Sequence, residues 1–245
     1  MTNLYVYGLH AVSALFKSKR RPVKRLIINQ KRQDKRLQEL LALAEQAEIP
    51  IESLTLETMN QRFGEWPHQG VVAATSVLPT YQESDLSSLI QQGSQPVLIL
   101  IVDGITDPHN LGACLRTAEA VGVNFVISPK DKNVGLTPVA SKVASGAAEL
   151  IPLVRVTNLV RTIEQLKQEG IWIYGAQAEA DKVLFDCNFQ GPTAIVLGAE
   201  DKGLRRLTRD HCDQLFSLPM KGSVESLNVS VATGVALYEV LRQRS

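Results

Sequence analysis

The chain has 245 residues, 44% of them hydrophobic and 21% charged, which is the composition of an ordinary globular protein with room for one large or two modest domains. No apolar run reaches the ~20 residues that cross a bilayer, and the opening MTNLYVYGLH lacks the basic-then-apolar start of a signal peptide, so a cytoplasmic protein with no membrane contact is expected. Cys114, Cys187 and Cys212 show no CxxC or CxxH spacing, which argues against a metal centre or a disulfide framework and for three free thiols.

The net charge of +1 hides an asymmetry. Residues 1–40 carry ten Lys and Arg against two acids, a net of +8, so the rest of the chain holds −7. A basic block at one end of a near-neutral chain points to a polyanionic partner. Nucleic acid fits better than a membrane surface, because no sustained amphipathic helix sets large apolar residues opposite the basic ones.

Residues 1–77 read as a small α/β unit. Strands are expected at 4–7, 25–28, 51–54 and 70–77, with helices at 10–16 and where Leu37, Leu40, Leu41 and Ala44 recur at helical spacing. The loop EWPHQG offers Trp66, His68 and Gln69, either as domain packing or as groups that stack on and bond an unpaired base. Residues 78–95 turn polar and read as a linker with one short helix at 85–91.

From residue 96 to 245 helices and strands alternate. The continuous apolar run 97–102 is a strand buried on both faces, as in a parallel sheet. Further strands are expected at 124–127, 151–156, 171–174, 194–197 and 215–218, with helices at 111–120, 139–144, 159–168 and 205–213. A final helix starts near Ser226. It is apolar nearly all round, which implies burial against both the core and a partner subunit. In such a fold ligands bind at the carboxyl ends of the strands.

Three of those ends carry loops with chemical character. DGITDPHNLGACLR brings Asn110 to a helix start and Arg116 further along it, where an arginine is either a surface charge or a site group. GAEDKGL follows a strand with two glycines, yet Glu200 and Asp201 make it unsuitable for phosphate, and it suits a cationic or hydroxyl-rich ligand better. In LPMKGSVESLNVS, Ser226 and Asn228 are either helix caps or ligand groups beside free backbone N–H donors.

Together, and in this order, DPHNLGACLR, LGAEDKGL and LPMKGSVESLNVSVATGVALYE resemble the three motifs of the SpoU (TrmH) family of RNA ribose methyltransferases in the SPOUT superfamily. YGLHAV, HQGVVA and the basic segment between them resemble the family members that methylate a guanosine 2′-oxygen in large-subunit (23S) ribosomal RNA. The resemblance implies a C-terminal SPOUT domain with a parallel sheet and a deep trefoil knot, an N-terminal RNA-binding domain with a ribosomal-protein-like fold, S-adenosyl-L-methionine as methyl donor, and a homodimer packed through the knot. By motif position, Gly198, Leu218, Met220 and Leu227 line the cofactor pocket, with Ala176 and Gln177 as weaker members. Arg116 activates the 2′-hydroxyl, Asn110, Ser226 and Asn228 orient it, and Glu200 holds the first motif in place. Arginine side chains have a reference pKa of about 12.5 or higher, so Arg116 acts either as a base in a special environment, as a stabiliser of developing oxyanion, or as a phosphate holder. A non-catalytic RNA-binding factor and a transfer RNA ribose methyltransferase are the alternatives.

Overall fold

The computed structural model describes residues 4–64, 68–199 and 202–245. In chain order the first elements are β1 (Leu4–Tyr7), α1 (Leu9–Ser18), β2 (Val23–Asn29), α2 (Lys35–Gln46), β3 (Ile51–Leu54), α3 (Leu56–Phe63), β4 (Val71–Thr75) and α4 (Leu86–Gln92). They are followed by β5 (Leu98–Asp103), α5 (Pro108–Val121), β6 (Phe125–Pro129), α6 (Pro138–Val143), α7 (Ala147–Leu150), β7 (Leu153–Val156) and α8 (Leu159–Gln168). The last are β8 (Trp172–Ala176), β9 (Thr193–Gly198), α9 (Arg206–Asp210), β10 (Gln214–Phe216) and α10 (Val229–Arg244). Two compact units result: one is the chain up to Pro79 together with Ser145–Leu150, the other Thr80–Ala144 and Ile151–Ser245.

The first unit is a four-stranded sheet in the order β1-β4-β2-β3, with β4 antiparallel to both its neighbours and β2 parallel to β3. Side chains alternate across a strand, so Leu26 and Ile28 of β2 join Leu9, Val12, Leu37 and Leu40 under α1 and α2, while Ile27 packs with Met59 and Phe63 of α3 on the other face. Helix α3 lies in a stretch where no element is expected from the sequence. Its signals are short but present: Thr55 caps it by accepting from Thr58 N at 3.1 Å, and Leu56, Met59 and Phe63 follow at helical spacing.

Ser145–Leu150 belongs to this unit through a buried ion pair. Arg21 reaches the Glu149 carboxylate with Nε at 3.0 Å from Oε2, donates Nη1 to Ser76 O at 2.6 Å, and both charged side chains are more than nine-tenths buried. Arg21 is therefore structural and drops out of the basic block. His68 is also internal: Nδ1 accepts the Gly70 N–H at 2.9 Å, Nε2 lies 2.9 Å from Asn60 Oδ1, and burial pulls its pKa down. Of the two readings of this loop, domain packing or base contact, His68 takes the packing one, and Trp66 lies outside the described residues.

The second unit is a six-stranded sheet, β10-β8-β9-β5-β6-β7, in which every pairing is parallel. Residues 78–95 are no free linker: Tyr81 bridges to Val154, and Leu86 and Ile90 of α4 enter the main core with Ile99, Ile101, Phe125 and Val154. Their polar sequence is the outward side of a helix whose two buried residues, Leu86 and Ile90, are spaced i, i+4, with Leu89 packed half-buried beside them. Helix α10 begins at Val229, three residues past the expected start at Ser226, because Asn228 is the cap and accepts Ser230 N at 2.9 Å. One face of α10 is buried through Ala232, Thr233, Ala236 and Val240, while Val231, Tyr238 and Leu241 form an exposed apolar stripe on another. The cysteines are free, and burial pushes the Cys212 thiol up to about 12, as packing residues require. Among the described residues no helix is long and apolar enough to cross a membrane, and no cluster of His, Cys, Asp and Glu is arranged to hold a metal.

Removing one partner of a buried ion pair strands the other. Glu149→Leu is therefore expected to lower stability by about 3–5 kcal/mol, read as an earlier urea midpoint; an unchanged midpoint would show that the Arg21 pair holds nothing together.

Candidate active site

The parallel register aligns the carboxyl ends of four neighbouring strands. Asp103 lies beside Gly198, Gly175 beside Val196, and Ala176 beside Phe216. The loops after β5, β8, β9 and β10 therefore leave one edge of the sheet, the place where open parallel sheets bind ligands.

The loop after β9 folds back on its own strand. A Cβ built on Gly198 would sit 2.1 Å from the Gly203 backbone carbon and oxygen and 2.5 Å from Leu204 N, so glycine is required by close backbone approach. Gly203 in turn lies against Gln177, at 3.3 Å from its Oε1 to the glycine's would-be Cβ. Gln177 donates its backbone N–H to Phe216 O at 2.9 Å and its Nε2 to Glu179, yet Oε1 is buried with no hydrogen-bond partner among the described residues. A buried amide oxygen in this state has room to accept from a donor beyond the described residues, a water or a ligand amine among them.

Asp103 is a site residue that no motif singles out. Its carboxylate is 1% exposed, accepts the Thr208 hydroxyl at 2.7 Å through Oδ2, and has Arg205 Nε 3.2 Å from Oδ1. It ties the end of β5 to the segment that leaves the β9 loop. The available signal is a carboxylate closing an otherwise apolar strand, LILIVD. Asn133 performs a similar task on the other side, its Oδ1 accepting Gly104 N at 3.0 Å and Ile105 N at 2.8 Å.

Helix α5 starts at Pro108 with Asp107 as cap, accepting His109 N at 2.9 Å. Gly112 lets α6 approach, since a Cβ there would meet Ala140 O at 2.6 Å. On its other side α5 packs on α10, where Cys114 Sγ and Thr233 Oγ1 are 3.3 Å apart. This pairing brings the two helix starts together, and Asn228 Nδ2 donates to Asn110 Oδ1 at 3.0 Å.

The expected site residues thus fall into groups. Asn110 and Asn228 are in contact, and Gly198, Ala176 and Gln177 share the strand-end row. Leu218, Met220 and Leu227 lie on the loop between β10 and α10, all three half-buried, while Ser226 on the same loop is exposed and is not the helix cap. Arg116 is exposed on α5, six residues past Asn110 and so about 9 Å further along the axis, with no hydrogen bond or ion pair among the described residues. Glu200 lies outside the described residues.

The unit that carries this edge belongs to a methyltransferase family. Residues 97–238 match the SpoU rRNA Methylase family, residues 5–80 match the RNA 2′-O ribose methyltransferase substrate binding family, and the chain belongs to the SpoU rRNA methylases. It is 52% identical over 239 residues to the 23S rRNA (guanosine-2′-O-)-methyltransferase RlmB of Pseudomonas putida, covering 98% of this chain and 96% of that one. The RlmB of Escherichia coli is 50% identical over 240 residues, covering 98% of each. Among solved structures, the SpoU methyltransferase AviRb from Streptomyces viridochromogenes, crystallised alone and in complex with the cofactor AdoMet, superposes with a TM-score of 0.80 at 26% identity over 99% of this chain and 90% of its own.

Gly198→Ala has no room without displacing backbone, and overpacking of this kind costs about 1–3 kcal/mol or more. Thermal unfolding of the variant is expected several degrees lower. A wild-type melting curve would contradict the close approach of the two glycines.

Proposed function

We propose that the protein transfers the methyl group of S-adenosyl-L-methionine to the 2′-oxygen of a guanosine in 23S ribosomal RNA, working as a cytoplasmic homodimer. The observation that carries this reading is the meeting of Asn110 and Asn228 beside the strand-end row of Gly198 and Gln177, combined with about half identity to RlmB over nearly the whole chain.

The residues present suit the cofactor. Gln177 Oε1, with no partner among the described residues, offers an acceptor for an amine, and the folded-back loop at Gly198 exposes backbone groups with no side chain in the way. Bound there with Leu218, Met220 and Leu227, S-adenosyl-L-methionine supplies an electrophilic methyl on sulfonium. The chain's own part is orientation. Asn110 and Asn228, locked to each other, hold the ribose so that the 2′-oxygen is in line for displacement, with Ser226 on the loop before them. Positioning and preset charge are worth the most in such a reaction. Arg116 faces solvent where a docked nucleotide can meet it, and its cation would favour the developing oxyanion as the 2′-proton passes to solvent water, the O–CH3 bond forming while the S–CH3 bond breaks to leave the neutral thioether. Glu200 is assigned the bracing of the first motif by family position alone.

RNA is held first by residues up to about 77, where Lys17, Lys19, Lys24, Lys31, Lys35 and Arg36 remain at the surface once Arg21 is internal. The second copy is placed on α10, because Val231, Tyr238 and Leu241 lie at i, i+7 and i+10 on one helix face with half-buried Gly234 and Val235 between them. The trefoil knot belongs to the same reading. It is supported by α10 returning from the edge strand β10 to pack on α5 and β9 in the middle of the sheet.

Methyl transfer from tritiated S-adenosyl-L-methionine to unmodified 23S ribosomal RNA tests the reading. Wild type is expected to label the RNA, and Arg116→Ala to fall at least about a hundredfold, the scale of one missing transition-state donor, with its fold intact by circular dichroism. Full transfer by Arg116→Ala would remove that residue from the mechanism, and no transfer by wild type would remove the function. For the dimer, Tyr238→Asp with Leu241→Asp is expected to halve the mass seen by light scattering; an unchanged mass would put the second copy elsewhere.

A further inference from the structure

The loop after β6, residues 130–134, is built with more support than a connection needs. Arg155 of β7 directs its guanidinium inward and donates to the backbone oxygens of Lys130 at 3.0 Å and Val134 at 2.7 Å, with Asn133 O at 3.4 Å. Burial lowers its pKa from the usual arginine value, so a desolvated cation is committed to backbone carbonyls. With those carbonyls turned inward, the side chains of Lys130 and Lys132 are left to solvent, both exposed. Lys132 sits at φ 56, a left-handed conformation that side-chain-bearing residues rarely adopt.

The loop is also fastened to the active-site edge. Asn133 Oδ1 accepts from Gly104 and Ile105 of the first-motif loop, Val134 N donates to Ile105 O at 2.8 Å, and Arg205 Nη2 donates to Asp131 O at 3.4 Å. Two outward lysines are thus held at fixed distance from the loop that leads to Asn110. Of the other basic side chains near this edge, Arg205 faces Asp103 at 3.2 Å, and Arg206 and Arg209 face Asp210 at 4.0 and 3.5 Å, while Lys202, Lys221 and Arg116 are exposed on the β9 loop, the β10 loop and α5 and, among the described residues, lack the fastening that holds residues 130–134. Lys130 and Lys132 have no ion pair among the described residues, with only the exposed Asp131 between them in sequence.

We infer that Lys130 and Lys132 form a second RNA-contact point, on the catalytic unit itself, that holds the phosphodiester backbone beside the nucleotide whose ribose is methylated. The inference rests on the function proposed above, and it goes beyond the basic N-terminal block, which binds RNA away from the strand-end row in sequence. Phosphate is the fitting partner because an exposed ammonium pair on a rigid loop offers point charge without base-reading geometry. A rigid mount matters here, since an anchor that moved would not fix the ribose relative to Asn110 and Asn228.

The test is the salt dependence of binding to in vitro-transcribed 23S ribosomal RNA, measured for wild type, Lys130→Ala with Lys132→Ala, and Lys130→Arg with Lys132→Arg. Removing one phosphate-binding cation takes about 1 from the slope of log K against log salt, so the double alanine variant is expected to bind more weakly with a slope shallower by about 2. The double arginine variant is expected to keep both the affinity and the slope. Melting temperature and S-adenosyl-L-methionine affinity should stay at wild-type values in both, which separates weakened RNA binding from a damaged fold. An unchanged slope in the alanine variant overturns the inference even when wild type methylates normally. Failure of the functional reading shows separately, as wild type that binds the transcript and transfers nothing.

Discussion

The whole arrangement depends on how closely the backbone approaches itself at the end of β9. Where Gly198 meets Gly203 there is no space for a single methyl group, and the loop closes over its own strand instead of reaching outward. That closure sets Gly203 against Gln177 at the end of β8, and Leu204 returns directly to the core with Ile173 and Val196. The same turn delivers Arg205 and Thr208 to the buried Asp103 at the end of β5. Three strand ends are thus cross-linked through one carboxylate and one pair of glycines, and a rim made of loops acquires the stiffness of the sheet beneath it.

Rigidity of this kind suits a reaction with little bond-making for the protein to perform. A sugar hydroxyl and a sulfonium methyl need to be collinear and in contact, so placement of the oxygen matters more than any single acid or base. The Asn110–Asn228 contact joins the starts of α5 and α10, and the packing of Cys114 on Thr233 fixes those helices one turn further along. The placement of Asn110 against Asn228 is therefore set by helix packing within the second unit, while the first unit is held by the buried Arg21–Glu149 pair.

Much of the fold is legible in the sequence because its strands are continuous apolar runs between glycine- and proline-bearing turns. LILIVD and TAIVLG are buried over nearly their whole length, as a sheet covered on both faces demands. What escapes is short or non-local. Helix α3 has only Met59 and Phe63 buried, so its periodicity is carried by few residues, and the apolar side of α4 is hidden in the polar run SSLIQQ. The start of α10 is ambiguous because Ser226 and Asn228 are both good caps, and only the backbone shows which one is used. Site residues grouped by motif are legible as a set, but their contacts are not. Asp103 looks like the end of a strand, and Arg21 looks like one more surface cation until its partner arrives from 128 residues away.

The central claim is that the loops at this edge converge to methylate one ribose. Mapping 2′-O-methyl positions in 23S ribosomal RNA from cells lacking the gene addresses it most directly. The account predicts that a single guanosine loses its mark and regains it when the intact gene is restored, while the variant Asn110→Ala fails to restore it. Ribosomal RNA with every mark retained in the deletion strain would contradict the account.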